Sequence, residues 1–292
     1  MDRPLSPREI VIPPLLDTAE PTAGIHLLVP DRVYHHSLFS LSSSQARRLW
    51  WSGITPRQAR HEQLFGSPDT DTFEFGRAVH TETFGFGPPV VRLEFRDWKT
   101  NRAQELRRAH RAAGHIPLLP RTYDKAVAMA AAVRDHPALV PLLTTGWPEV
   151  SFYWPDPATG LMLRARPDWL HPADDGGVIV VDLKTTDSAD PEDFAWSVLR
   201  YGYHLQQNWY STAITTFRLA VRRFLFAAVS KHPPHVVSVC ELDPDDVLAA
   251  GGENRRAIDL YARCLASDTW PDHGPGIHRI HLPRRANLRY RH

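Results

Sequence analysis

Two carboxylates and a lysine stand out for type and spacing: Asp168 follows Pro167, and fourteen positions later comes Asp182-Leu183-Lys184. Ionised carboxylates bind hard divalent cations through oxygen, and a bound cation stabilises charge and acidifies a water. Hydrolysis of a phosphodiester needs both, together with a water aligned in line with the leaving oxygen. Asp168 and Asp182 are therefore the expected metal ligands, with the backbone carbonyl of Leu183 as a further candidate. Lys184 would orient or deprotonate the attacking water, or balance charge on the phosphorane; these alternatives stay open. Only four of the 34 basic residues are lysine, so a chain that nearly always uses arginine places a compact ammonium two positions after Asp182. An Asp-x-Lys triplet alone is weak, because roughly one arises by chance in a chain of this length. Its surroundings decide.

These groups can meet only if strand ends carry them. Residues 149–154 alternate in polarity, 155–160 (PDPATG) have turn chemistry and 161–170 alternate again, which predicts a hairpin. After a second turn at 172–177, the apolar run 178–183 predicts a third, central strand whose end is rigid. The three would form one meander bearing Glu149, Asp168 and Asp182. Upstream, residues 73–84 predict a helix with Gly76 and His80 on one face, where the backbone can approach closely at Gly76. Taken alone, His80 reads as a hydrogen-bonded histidine. Downstream, Asp190 and Pro191 open a long helix to about Thr216, on which Tyr203, Gln206 and Tyr210 share a face that can reach back to the strand ends.

The remaining chain supplies the frame. Serines near 43 cap a helix carrying Leu49 and Trp50 inward, and residues 123–135 form an alanine-rich helix. The arginine-rich stretch 92–111 reads by default as a solvated surface. Strands are expected at 222–230 and 236–242. Asp243-Pro244 starts a last helix to about 266, with Gly251-Gly252 as a candidate interruption.

Composition sets limits. At 292 residues and 42% hydrophobic content the chain can bury a full core. No apolar run approaches the ~18 residues of a membrane span, and the N-terminus shows no signal-peptide pattern, so a cytoplasmic protein without membrane attachment is expected. Two cysteines, Cys240 and Cys264, exclude a disulfide scaffold, a four-cysteine zinc site and an iron–sulfur cluster within one chain. A net charge of +1 makes no overall case for nucleic acid, so any such binding must come from a local basic surface. No Gly-x-Ser-x-Gly elbow occurs, which argues against a serine hydrolase.

The order Gly76-x-x-x-His80, Glu149, Arg166-Pro167-Asp168, Asp182-x-Lys184, then Tyr203 with Gln206-x-x-x-Tyr210, resembles the PD-(D/E)xK nuclease superfamily. Within it the chain looks most like the exonuclease VIII (RecE-like) branch, close to the RecB-type nuclease domains, over about Tyr34 to Tyr210. The resemblance implies an α/β fold with a restriction-endonuclease-like core, a mixed central β-sheet flanked by helices. It divides the chain into a proline-rich arm (1–33), a nuclease domain with a helical N-terminal part (34–270) and a basic tail (271–292). It makes His80, Asp168 and Asp182 metal ligands and Lys184 catalytic, adds Glu149 by similarity to an acidic residue on the first core strand of some members, and gives Gln206 and Tyr210 the role of positioning the site and the DNA end. The implied activity is a Mg²⁺- or Mn²⁺-dependent 5′-to-3′ exonuclease on linear double-stranded DNA, acting in recombination or repair, including phage systems. Relatives in this branch form rings and work with a single-strand annealing protein. The cysteine cluster that holds an iron–sulfur cluster in some relatives is absent here. Histidine suits Mn²⁺ better than Mg²⁺, so His80 would bind through water or the enzyme would prefer manganese. Two alternatives accompany this reading: an endonuclease or single-strand nuclease with the same site, and a non-catalytic DNA-binding or assembly module of the same fold.

Overall fold

The computed structural model describes residues 21–66 and 71–280. Most of the expected arm, residues 1–20, and the end of the basic tail, residues 281–292, lie outside the described residues. Within the stretch expected as an arm, Gly24–His26 forms β1, and α1 (Asp31–His36) straddles its boundary.

Helix starts follow capping chemistry. After β2 (Ser40–Ser42), the Ser42 hydroxyl accepts from the Gln45 amide while the Gln45 side chain returns to Ser42, and α2 (Ser43–Trp50) begins. Thr55 and Gln58 repeat this box at α3 (Pro56–Phe65). Along α2 the buried stripe is Ser43, Ala46 and Leu49. Trp50, expected inside, falls one position past that stripe; it is 40% exposed and donates to Glu253.

Next, α4 (Asp71–Phe84) buries Phe75, Ala78 and Val79. Strands β3 (Val90–Arg92) and β4 (Ile116–Leu118) flank α5 (Asn101–Ala112), and α6 (Pro120–Arg134) and α7 (Val140–Leu143) follow. The arginines of α5 are not simply solvated. Arg111 forks onto the buried Glu74 of α4, with Nε to Oε1 at 2.5 Å and Nη2 to Oε2 at 2.6 Å.

The expected meander forms with one register but not as one sheet. Its strands are β5 (Trp147–Pro148), β6 (Ser151–Pro155), β7 (Met162–Ala165), β8 (Trp169–Pro172) and β9 (Val178–Thr186). Opposite partners run from Trp147 and Leu170 through Phe152 and Ala165 to Pro155 and Met162. Between the two ladders Pro167 lacks an N–H and Glu149 takes φ +48°, so regular pairing lapses. The predicted strand 161–170 is thus split at Arg166-Pro167-Asp168.

The long helix expected after β9 is two helices, α8 (Pro191–Tyr201) and α9 (Tyr203–Thr216). Gly202 separates them in a left-handed conformation, φ +66°, which ends one helix and re-aims the next. Asp190 caps α8 as expected. After β10 (Val221–Ser230) and β11 (Val237–Cys240), α10 (Pro244–Ser267) runs uninterrupted through Gly251-Gly252. There a Cβ on Gly251 would stand 3.3 Å from Asn208 of α9, so the glycine permits close helix packing.

The central sheet has order β11-β10-β9-β8-β5, with β9 and β10 parallel and the other pairs antiparallel. A second sheet, β1-β6-β7-β2, carries the far ends of the hairpin. Strand alternation gives the central sheet two apolar faces. Val178 and Val180 of β9 and Phe224 and Phe226 of β10 pack toward Phe194, Trp209 and Ile214 of α8 and α9. Val181, Leu183, Leu225 and Ala227 pack toward Ala78, Val79, Met129 and Val133 of α4 and α6. The fold is therefore a mixed α/β sandwich with the sheet between helices. Cys264 is buried and Cys240 partly so, both as free thiols. Among the described residues no helix is long and apolar enough to cross a membrane.

Candidate active site

Alternation along β9 decides where the chemistry points. Asp182 and Lys184 follow Val178 and Val180 on the α9 face, while Leu183 falls on the α4 face. Asp182 is wholly buried, and its Oδ2 accepts from Gln206 Nε2 at 3.0 Å. Its Oδ1 meets the ammonium of Lys184 in a close ion pair. That ammonium stands 4.6 Å from the centroid of the Tyr203 ring and 5.8 Å from that of Phe226. Two aromatic faces and one carboxylate therefore fix its direction.

Asp168 reaches the same place from the lapse in the hairpin. Its Oδ2 accepts from the Leu183 amide at 2.8 Å, just beyond the last β8–β9 pair, Trp169 with Val181. In a strand the carbonyl of a residue leaves by the same edge as its amide, so the Leu183 carbonyl also turns toward Asp168. On the other side Asp168 Oδ1 lies 3.4 Å from His80 Nε2, and His80 Nδ1 lies 3.6 Å from Glu149 Oε1. The Asp168 carbonyl in turn accepts from the Glu149 amide at 3.0 Å. Glu149 holds its left-handed backbone here, a conformation costing a glutamate about 1–3 kcal/mol. Gly76, one turn before His80, faces Thr185, but a Cβ there would sit at 3.8 Å from Oγ1, an ordinary contact. Steric demand does not explain this glycine.

The electrostatics follow from crowding acids out of water. Burial pushes the Asp182 carboxyl up to about 6, and Asp168 adds to the rise against the pull of Lys184. Burial also works against ionising Asp168, yet His80 and Lys184 outweigh it and its pKa is lowered. For His80, burial disfavours the imidazolium, but the carboxylates of Asp168, Glu149 and Asp182 prevail and its pKa is raised. Lys184 behaves alike: burial opposes its charge, and Asp182, Tyr203 and Asp168 raise its pKa above the usual lysine value.

The structure thus brings together His80, Glu149, Asp168, Asp182, Leu183, Lys184 and Gln206. Tyr210 is further back, packed in the core with its ring 6.5 Å from Phe224. Three residues carry site contacts that the sequence reading gave no role. Arg166 spans Asp31 at 3.0 Å, Glu149 at 3.5 Å and Ser151 at 2.9 Å, and lies 3.9 Å from the centroid of the Tyr34 ring. Arg47 of α2 donates to the Tyr201 carbonyl at 2.8 Å, beside the helix break. Asp31 joins Arg166 to Arg77 of α4. The arginine beside Pro167-Asp168 was a visible signal, whereas the partners of Arg47 and Asp31 are more than 40 residues away.

Could these residues hold a cation? The donor set is hard, being carboxylate and carbonyl oxygens with one imidazole, and Asp182 Oδ1 is a buried oxygen whose partner is the Lys184 ammonium. Among the described residues no three His, Cys, Asp or Glu side chains converge into a cage. Mg²⁺ does not require one, since it keeps several waters and is commonly bound by one or two carboxylates plus substrate phosphate. The chemistry of the donors fits.

Fold and site together define the PD-(D/E)xK class. The chain belongs to the family described as a PDDEXK-like domain of unknown function (DUF3799), whose model matches residues 54–281. The fold is shared with a crystal structure from Eubacterium rectale described as a "Putative exonuclease", with a TM-score of 0.57 and 13% identity over 88% of this chain and 95% of that one. A second solved structure, SSO0001, aligns with a TM-score of 0.35 and 12% identity over 75% of this chain and 77% of that chain. No curated protein matches the sequence.

Proposed function

We propose that the chain is a metal-dependent deoxyribonuclease that digests linear double-stranded DNA from 5′ to 3′ in recombination or repair. The observation that carries this reading is the meeting of Asp168 with the Asp182–Lys184 pair at the end of the central strand β9. A divalent cation, Mg²⁺ or Mn²⁺, would supply Lewis-acid charge and an acidified water when bound.

Asp168 and Asp182 would hold that cation, with the Leu183 carbonyl on the same edge. His80 and Glu149 orient Asp168 from behind, and His80 serves as a further ligand, directly or through water. Gln206 keeps Asp182 Oδ2 occupied, leaving Oδ1 as the oxygen turned toward Lys184 and the site. The Lys184 ammonium orients the attacking water and balances charge building on the phosphoryl oxygens. Tyr210 supports α9 from the core side. The same reading carries DNA ends as substrate, a ring of copies and a single-strand annealing protein as partners, and a cytoplasmic setting. The neighbour described as a "Putative exonuclease" supports attack from an end.

The test is digestion of end-labelled linear duplex, with closed circular duplex as control, in Mg²⁺, Mn²⁺ or chelator. Loss of label from the linear molecule alone, with either metal, supports the reading. Equal cleavage of the circle makes it an endonuclease, and full activity in both Asp182→Ala and Lys184→Ala removes the site assignment.

A further inference from the structure

A groove of about 1000 Å³ lies beside the site, walled by α1, α2, α3 and α4 and by the end of α5. Among the described residues, five arginines line it against two carboxylates, Asp31 and Glu62. Three of the five are held in fixed directions: Arg48 forks onto Glu62, Arg111 forks onto Glu74, and Arg77 donates one hydrogen bond to Asp31 at 2.8 Å. Arg60 donates to the neutral Gln63 at 2.7 Å and lies 5.0 Å from the centroid of the Trp270 ring. Guanidinium groups already anchored lose little freedom when they meet phosphate.

Two aromatic side chains open into the same groove. Phe65 is 74% exposed with its ring centroid 4.7 Å from that of His61, and Phe73 is 54% exposed with Arg77 5.9 Å from its ring centroid. A positively charged groove interleaved with exposed rings is how proteins track a single strand, with phosphates on the arginines and unpaired bases stacked on the rings. A duplex keeps its base faces stacked inside and offers such rings only the terminal pair at an end. A chain of contacts links the groove to the site. Arg77 stands one turn before His80 on α4, and its partner Asp31 pairs with Arg166, which touches Glu149.

We propose that this groove binds a single-stranded segment of DNA alongside the active site, stacking its bases on Phe65 and Phe73 and pairing its phosphates with Arg60 and Arg77. The proposal rests on the nuclease reading only for the choice of DNA as the polymer. Binding without metal tests the groove, and cleavage of linear duplex by the wild type tests the site, so the two can fail separately.

The probe is a short fluorescein-labelled oligothymidylate, titrated by anisotropy with the full chain in chelator, beside a hairpin duplex of equal length. The oligothymidylate should bind more tightly than the duplex. Phe65→Ala with Phe73→Ala should weaken it about tenfold or more, and Phe65→Trp with Phe73→Trp should restore it. Arg60→Ala, which leaves both rings in place, should make the salt dependence shallower by about 0.7 in log–log slope. Wild-type affinity in the double alanine variant overturns the proposal. So does an equal loss of duplex binding, or an unchanged salt slope in Arg60→Ala should the double variant not fold.

Discussion

Gln206 donates to Asp182 across 3.0 Å from a helix that exists as a separate element only because Gly202 breaks the one before it. The acid is wholly buried, so this amide satisfies an oxygen that water cannot reach. Gln206→Ala should therefore cost about 1–3 kcal/mol of stability and lower kcat more than it raises KM. Urea denaturation and steady-state digestion measure both. A variant with unchanged stability would mean that the Asp182 oxygen finds another donor.

Gly202→Ala is a sharper test of the same joint. The residue needs φ +66°, and a Cβ would stand 3.0 Å from Leu205, 3.1 Å from Trp51 and 3.2 Å from Arg47. The left-handed conformation alone costs about 1–2 kcal/mol for an L-residue, and the crowding adds to it. The expected result is a lower thermal midpoint, together with reduced activity because Gln206 shifts with α9.

Lys184→Arg should be nearly as inactive as Lys184→Ala. A planar guanidinium cannot occupy the space an ammonium fills between the Tyr203 ring and Asp182. Losing one preorganised charge of this kind costs about 10²–10³ in kcat. Recovery of wild-type rates by arginine would show that charge alone suffices.

Metal should stabilise the fold through its ligands. At a free concentration of about 100 Kd, Mn²⁺ should add about 2.7 kcal/mol to unfolding. Asp168→Asn with Asp182→Asn should abolish that gain. A calorimetric scan with and without chelator reads it directly, independently of cleavage.

Away from the site, Asp156 sets an acid limit on the β6–β7 hairpin. Burial raises the cost of its charge, but hydrogen bonds from Arg255 at 2.6 Å and from Thr159 outweigh this and lower its pKa below 3.8. A carboxyl depressed in the folded state takes up its proton first in the unfolded chain, so its contribution is present above about 3.8 and fades as pH falls through the depressed value. Wild type should exceed Asp156→Asn in stability at neutral pH, with the difference shrinking in strong acid. A gap that is constant with pH would remove the charge as its source.

Much of this arrangement was legible in the sequence because its signals are local. The apolar run before Asp182, the PDPATG turn and the Asp190 cap each act within a few residues. What could not be read depends on distance or on competition. Gly202 inside a helical pattern reads as a tolerated interior glycine, and only packing against Trp51 and Arg47 shows why the chain turns there. The alternation of 161–170 hid the lapse at Pro167, since a strand and its continuation in a second sheet share one periodicity. Strand β1 pairs with β6 across more than 120 residues, a partnership that proline-rich surroundings conceal.

The order of strands in the central sheet also sets when the site can first exist during synthesis. Strand β9 is flanked by β8, made before it, and by β10, made after it, and Gln206 is translated between them. A nascent chain that ends at Lys184 has all its carboxylates but neither the neighbouring strand nor the helix that fixes their directions. The strand and helix that fix the directions of these carboxylates therefore reach the site only after residues as far as Ser230 have left the ribosome.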